Sequence, residues 1–195
     1  DDLIYDIKKE NNKFLIKTKN REITADVVVN CAGSWANNIA GFLNLPLNVR
    51  SVPQQMIVTE ATNYELKLLI AHIGRHLTLK QAQNGNYIIG GGWTAGYSNL
   101  TKHIHSKKDS FEGNTWIAKK VIPKLSNANV LRSWAAMSVD VGGYPLLGEH
   151  PKMKNFYVVV SSNGYTLGPI LGKLVSDQIL FDKKDFNLFE SNRLN

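Results

Sequence analysis

Two short turns in the sequence carry residue types that suit the binding of an electron-rich ligand. One is Ala32-Gly33-Ser34, which follows the apolar run Val27 to Val29, and the other is Ser162-Asn163-Gly164, which follows Phe156 to Val160. A helical apolar pattern comes after each turn, so unpartnered backbone N–H groups at the positive end of a helix dipole would face the ligand. Either turn alone also fits a plain connection in an α/β core.

Histidine, cysteine and aromatic residues offer weaker indications of chemistry. His103 and His105 have strand-like spacing, but no cysteine or carboxylate cluster supplies the further ligands that zinc requires, so we predict no metal site. Cys31 ends an apolar run, and we expect a buried small residue there, because reactive thiols need exposure and a cationic neighbour. Four aromatic side chains could offer π faces to an ammonium group: Tyr97, Trp134, Tyr144 and Tyr165. Core packing is the more frequent use of such side chains.

Each of the two turns lies between a predicted strand and a predicted helix. These two copies of strand, turn and helix flank a middle segment that has another pattern of elements. A meander of short strands is predicted at residues 3–7, 14–18 and 22–24. The second copy ends in an apolar helical stripe from Leu167 to Ile179. Between the copies, Asn84-Gly85 predicts a hairpin, and Asp109 is expected to be the N-cap of a helix that Pro123 closes.

This order of elements predicts a mixed α/β (α+β) fold in two lobes. One lobe, which contains both copies of strand, turn and helix, is expected from residues 1–48 and 132–181. An antiparallel-sheet lobe is expected at residues 49–131, and residues 182–195 have the polar composition of a surface tail.

Length and composition set limits on the class of protein. With 195 residues and 43% hydrophobic content, the chain can bury a core of one domain or two small lobes. The formal charge of +7 is spread over separate polar stretches, so we expect no nucleic-acid binding. No apolar run predicts a membrane span or a signal peptide, so a cytoplasmic location is expected. Since the sequence begins at Asp1 without methionine, we expect a fragment or a processed product.

Several spaced motifs together are more specific than either turn. The segments appear in this order: Ala25-Asp26-Val27-Val28-Val29-Asn30-Cys31-Ala32-Gly33-Ser34-Trp35-Ala36, Arg132-Ser133-Trp134-Ala135-Ala136, Tyr144-Pro145-Leu146-Leu147-Gly148 and Asn163-Gly164-Tyr165-Thr166-Leu167-Gly168-Pro169. The series resembles the FAD-dependent D-amino-acid oxidase superfamily, which includes glycine oxidase, sarcosine oxidase and dehydrogenase, and the flavin subunits of opine oxidases. The resemblance extends from Ile4 to Leu180.

The resemblance implies FAD as cofactor and a small amine or amino acid as substrate, with the C–N bond oxidised by hydride transfer to the flavin. It implies that residues 1–48 and 132–181 form a partial Rossmann-like FAD-binding lobe and that residues 49–131 form the substrate lobe. The implied FAD contacts are these: Ile4, Cys31, Ala32, Gly33, Trp35, Ser162, Asn163, Gly164, Tyr165, Thr166 and Leu167. The family's amino-terminal G-x-G-x-x-G turn is absent from this sequence. We therefore expect a carboxy-terminal portion that needs that segment, or a partner subunit, to bind FAD.

Two departures from the family pattern leave the substrate open. Several relatives carry a carboxylate-binding arginine where this sequence has Ser138, and their customary Asp-Gly is Gly142-Gly143 here. Candidate substrate residues are then Arg75, His76, Arg132, Trp134 and Tyr144, although each also suits a structural or surface role. A non-catalytic scaffold or subunit of a heteromeric flavoenzyme is the alternative function.

Overall fold

In the computed structural model, which describes residues 2–63, 65–75 and 77–183, the chain divides into two units. Unit 1 combines Asp1–Ser51 with Ser138–Asn195, and unit 2 is Val52–Met137. The strands are β1 (Ile4–Glu10), β2 (Lys13–Thr18), β3 (Glu22–Ala25), β4 (Val28–Asn30), β5 (Arg50–Ala61), β6 (Ile70–His72), β7 (Leu77–Gln81), β8 (Asn86–Thr94), β9 (Gly96–Tyr97), β10 (Ile104–His105), β11 (Val130–Asp140), β12 (Leu146–Glu149) and β13 (Phe156–Val160). The α-helices are α1 (Ala36–Gly41), α2 (Lys108–Val121) and α3 (Gly164–Phe181), and 3-10 turns lie at Gly33–Trp35, Ile73–Arg75 and Pro123–Asn127.

The amino-terminal strands of unit 1 form the predicted antiparallel meander, in the order β1-β2-β3. Asn11 and Asn12 make the tight turn between β1 and β2 with φ of 49° and 63°, a conformation that asparagine tolerates better than most residues. Ile7 and Phe14 are buried in the main core of unit 1. The meander is therefore anchored through one apolar face.

A second sheet of unit 1 has the order β12-β13-β4. Strand β13 pairs antiparallel with β12 and parallel with β4. Phe156, Val158 and Val160 of β13 belong to the main core with Ala36 and Ala40 of α1. On β12 and β13, Leu147 and Tyr157 pack instead with α3, through Leu171 and Val175. The sheet consequently contributes to two cores, one shared with α1 and the other shared with α3.

Unit 2 is built on a five-stranded sheet of order β11-β5-β8-β7-β6. The β5–β8, β8–β7 and β7–β6 pairs are antiparallel, and the predicted hairpin at Asn84-Gly85 joins β7 to β8. Gly85 has φ of 94°, and an added Cβ would lie 2.0 Å from the Thr62 carbonyl oxygen. Gly91, with φ of 88°, lies where the β5–β8 register shifts, as expected of a bulge.

Helix α2 covers the unit 2 sheet, and its amino end differs from the prediction. Asp109 lies inside the first turn, and Lys107 occupies the N-cap position. The prediction of an Asp109 cap was wrong because the helix begins earlier, at Lys108, where the Lys107 N–H donates to the distant side chain of Gln55, at Oε1 and 2.8 Å. Buried Asn114 accepts from the Gly92 N–H at 3.0 Å, which fixes the helix against β8.

The mixed α/β class predicted from the sequence is confirmed by these elements. The units change at Ser51/Val52 and Met137/Ser138, whereas the predicted lobes changed after residues 48 and 131. Residues 132–137 accordingly lie in unit 2, because β11 continues across the predicted boundary. Most of the predicted tail, residues 184–195, lies outside the described residues. None of the helices in the described ranges is long and apolar enough to cross a membrane.

Candidate functional site

The two glycine turns lie at the same edge of one sheet. Strands β4 and β13 are hydrogen-bonded neighbours that run parallel, with Val28 opposite Phe156 and Asn30 opposite Val158. Parallel neighbours end at the same edge, so the turns that follow Asn30 and Val160 leave the sheet side by side. Ligands of α/β proteins bind at such carboxyl edges.

Buried Asn30 holds the first turn in shape. Its side-chain amide donates to the Ala36 carbonyl at 2.9 Å, and its oxygen accepts from the Ala32 N–H at 3.1 Å. Gly33 lies between these two anchors with φ of 55°, in the left-handed region that favours glycine. Ser51 Oγ also donates to the Ser34 carbonyl, at 2.5 Å. Asn30 was not among the site residues predicted from the sequence, although a polar residue closing an apolar run was the available signal.

The second turn is ordered by serine and asparagine before α3 begins. Ser161 Oγ accepts from the Asn163 N–H at 3.1 Å, and Ser162 Oγ accepts from the Val141 N–H at 3.3 Å. The Asn163 carbonyl starts the helix by accepting from the N–H groups of Thr166 and Leu167 at 3.1 and 2.9 Å. Among the described residues, no side chain caps this helix. Its first N–H groups are therefore available to a ligand.

Open space lies beside both turns. Within the described part of the chain, a Cβ built on Gly33 or Gly164 would meet no heavy atom inside 4 Å. Trp35 is 57% exposed and Tyr165 is fully exposed, although both are large apolar rings. Glycine turns with uncapped amides beside exposed aromatic rings fit the approach of a flat, electron-rich cofactor such as a flavin.

Cys31 and Ile4 complete the predicted set of cofactor contacts. Cys31 is exposed, so the expectation of a buried residue was wrong. Its position follows the last residue of β4, outside the strand pairing that buries Asn30. Partial desolvation nevertheless raises the pKa of the Cys31 thiol above its usual range. Ile4 lies on β1 and packs against the main core of unit 1.

The candidate substrate residues form two separate cation–π pairs in unit 2. The Arg132 guanidinium lies 5.2 Å from the centre of the Trp134 ring, on the same face of β11. Arg75 lies 6.0 Å from the ring of Trp116, a residue of α2 that sequence reasoning did not select. Only the tertiary fold brings this second pair together.

The other candidates are exposed side chains or lie outside the described residues. His76 lies outside the described residues. Tyr144 of unit 1 is 74% exposed, and Tyr97 of unit 2 is 40% exposed. His103 and His105 stack with ring centres 6.2 Å apart, yet the described residues contain no group of three side chains that could hold a metal ion.

A carboxylate near the second turn was also missed by sequence reasoning. Asp140 accepts from the Gly142 N–H at 2.9 Å and forms an ion pair with Arg50. The Gly142 hydrogen bond, supported by the Arg50 guanidinium, holds the pKa of Asp140 below its ordinary value, against the opposing effect of burial. This carboxylate therefore ties the end of β11 to the beginning of β5.

Comparison with known proteins places this geometry in a family. Glycine oxidase of Geobacillus kaustophilus (strain HTA426) is 25% identical over 193 residues, which are 95% of this chain and 48% of that protein. An opine oxidase subunit of Rhizobium meliloti is 25% identical over 92% of this chain and 47% of its own length. The chain thus spans about half the length of the curated relatives it matches.

Solved structures show the same fold. L-proline dehydrogenase from P. horikoshii superposes with a TM-score of 0.82 at 22% identity, over 94% of this chain and 50% of that chain. Glycine oxidase from Geobacillus kaustophilus gives 0.80 at 21% identity, over 96% of this chain and 50% of its own. The family described as FAD dependent oxidoreductase (DAO) matches residues 4–178. The resemblance predicted from the spaced motifs is confirmed, and the chain belongs to this family of FAD-dependent oxidoreductases.

Proposed function

We propose that this chain supplies the substrate lobe and part of the flavin lobe of an enzyme that oxidises the C–N bond of a small amine or amino acid. The observation that carries the proposal is the parallel pairing of β4 with β13, which brings both glycine turns to one sheet edge. FAD, when bound, would accept the hydride from the carbon that bears the amine. The names of the relatives, a glycine oxidase and an opine oxidase subunit, support this substrate class.

On this proposal, the residues of both turns orient the cofactor. Gly33 and Gly164 leave room for its close approach, and exposed Trp35 and Tyr165 offer apolar contact beside them. The uncapped amino end of α3 favours negative charge by about 0.3–2 kcal/mol. A reduced flavin ring would gain that stabilisation, so this helix would favour the reduced state.

On the substrate side, positioning rather than proton transfer is the main requirement of hydride transfer. Arg132 is exposed and stacked near Trp134, so its guanidinium is a candidate partner for a substrate carboxylate. Ser138 carries no charge, so it cannot replace the arginine that several relatives have at that position. A substrate carboxylate, if there is one, would consequently be held by another group than in those relatives.

The test is reconstitution of a flavin site. The chain would be produced together with an amino-terminal polypeptide that carries a G-x-G-x-x-G turn, and visible flavin absorbance would be followed through gel filtration. We expect retained flavin that is bleached by glycine or by a secondary amine without oxygen. A Gly164→Val variant should lose most of the flavin, and a Gly41→Ala variant, changed away from both turns, should keep it.

A non-catalytic scaffold remains the second function, favoured by Ser138 and by Gly142-Gly143. It predicts an assembly that forms without flavin, or one whose flavin no amine bleaches. A colourless assembly would contradict the enzyme proposal. A coloured assembly that every tested amine and amino acid leaves unbleached would restrict the chain to cofactor binding.

A further inference from the structure

A pocket of about 360 Å³ lies in unit 1 at the opposite end of α3 from the glycine turn. It lies beside the carboxyl end of the helix, whereas Gly164 begins the helix roughly 21 Å away along its axis, at about 1.5 Å per residue. Its volume is within the range of small-molecule sites. Its polar lining consists of Glu149, His150, Lys154, Tyr157, Gln178 and Asp182.

Gln178 is the residue that points to a ligand. Its side chain is 9% exposed, and its Oε1 has no hydrogen-bond partner among the described residues. A buried carbonyl oxygen without a partner costs about 1–3 kcal/mol, so a native protein normally satisfies it. Because Gln178 lines the pocket, a bound N–H donor would supply the missing hydrogen bond.

The charge of the lining selects a cation as that donor. Glu149 pairs with Tyr157 across the β12–β13 ladder, and Asp182 follows the last residue of α3. Burial raises the pKa of Tyr157, and the nearby charges of Glu149 and Asp182 raise it further, which places both carboxylates near the phenol. The carboxyl end of a helix also carries partial negative charge.

The lining contains fewer positive groups than carboxylates. Burial, with a smaller contribution from Lys152, lowers the pKa of His150, while a hydrogen bond with the Pro46 backbone opposes the shift. The imidazole is therefore neutral at neutral pH. Lys154 is exposed, and the Lys9 ammonium donates to its backbone carbonyl. The lining therefore carries two carboxylates, Glu149 and Asp182, against one ammonium group, although Glu149 also accepts from the Asn155 N–H at 2.7 Å.

We propose that this pocket binds a small organic ammonium ion, with its N–H groups donated to Gln178 Oε1 and to the carboxylates of Glu149 and Asp182. The site is separate from the glycine turns, and it does not depend on the flavin function proposed above. A volume of 360 Å³ admits an alkylamine or a small amino compound.

The binding test uses ethylammonium chloride and the isotope-labelled protein. In ¹H–¹⁵N spectra we expect the side-chain amide of Gln178 and the backbone amides near Glu149 and Asp182 to shift, with a dissociation constant near 1 mM for so small a ligand. Sodium chloride at the same concentration and sodium acetate should leave those signals in place. Equal shifts with either salt, or no shift with ethylammonium, would overturn the proposal.

Two variants and one matched control assign the contacts. Asp182→Asn should weaken ethylammonium binding at least tenfold, and asparagine tolerates the left-handed backbone at this position, where φ is 50°. Asp177→Asn removes the same charge from within α3, where Lys173 binds that carboxylate, and should change binding less than twofold. Equal losses in both variants would show a general charge effect and refute the site.

The variant Gln178→Met tests whether Gln178 Oε1 binds the ligand or instead stabilises the fold. If Oε1 has no internal partner, the variant should weaken ethylammonium binding about tenfold and leave the midpoint of urea unfolding without ligand unchanged. A lower midpoint in the ligand-free variant would show that Gln178 already has a structural partner. That result, or unchanged binding, would overturn the assignment.

Discussion

Asn30 is the residue on which the shape of the first glycine turn depends most directly. Its side-chain amide donates to the Ala36 carbonyl and accepts from the Ala32 N–H, and the residue is only 3% exposed. In Asn30→Leu, both partners would lose their hydrogen bond, and the free energy of unfolding should fall by about 1–3 kcal/mol for each buried group left unpaired. Urea unfolding followed by circular dichroism would measure the loss.

Asn38→Leu is the matched control for that substitution. Asn38 is exposed on α1, so the same change should alter the free energy of unfolding by less than about 0.5 kcal/mol. If Asn30→Leu were equally mild, the turn would be held by other contacts, such as the bond from Ser51 to Ser34.

Cys31 gives a residue-scale prediction from its raised pKa. Although the side chain is exposed, desolvation disfavours its thiolate, which is the form that reacts with iodoacetamide. At pH 7 the folded protein should therefore be alkylated more slowly than the same protein in concentrated urea. Mass spectrometry over a time course gives both rates. A faster reaction in the folded state would mean that a cationic or dipolar neighbour stabilises the thiolate.

At the scale of elements, the two strand-turn-helix copies depend on glycine conformation. Gly33 has φ of 55° beside open space, so Gly33→Ala meets backbone strain and no clash. We expect the free energy of unfolding to fall by about 1–2 kcal/mol, the usual cost of the left-handed region. Gly41→Ala, which also meets no heavy atom of the described residues within 4 Å, has no positive φ and should be neutral or stabilising by up to about 1 kcal/mol. Thermal unfolding of the two variants provides the comparison.

Local sequence predicted those elements whose causes are local. The predicted hairpin at Asn84-Gly85 follows from a glycine at positive φ, and the predicted meander turns at Asn11 and Asn12, which also have positive φ. The start of α2 could not be predicted in the same way, because Gln55 satisfies the Lys107 N–H from fifty-two positions away. For the same reason the contact between Arg75 and Trp116 requires the fold.

The sequence predicted the two turns of the candidate site, but it could not predict that they lie side by side. Apolar runs ending in glycine indicate strand, turn and helix at each end of the chain. Their meeting at one edge depends on the parallel pairing of Val28 with Phe156, which no local pattern specifies. The ion pair between Arg50 and Asp140 is equally long-range, and it joins segments that the sequence separates by ninety positions.

At the scale of the whole molecule, unit 2 is an insertion into unit 1. The cores of unit 1 draw their residues from 4–49 and 139–179, on either side of unit 2. Arg50 and Asp140 form an ion pair next to the two crossing points, Ser51 and Ser138. The two ends of the insertion are thus near each other, the arrangement in which domain insertion is tolerated.

This arrangement predicts that unit 1 folds without the insertion. Replacing residues 52–137 with a short Gly/Ser linker should leave a chain that unfolds cooperatively in urea, with an m-value reduced because less surface becomes exposed. Phe156→Ala in the shortened chain tests whether the transition reports the same core, because Phe156 is fully buried there. It should lower the free energy of unfolding by about 3–5 kcal/mol, or abolish the transition. A shortened chain without a cooperative transition would show that unit 1 needs unit 2 in order to fold, since its own buried residues would then be insufficient.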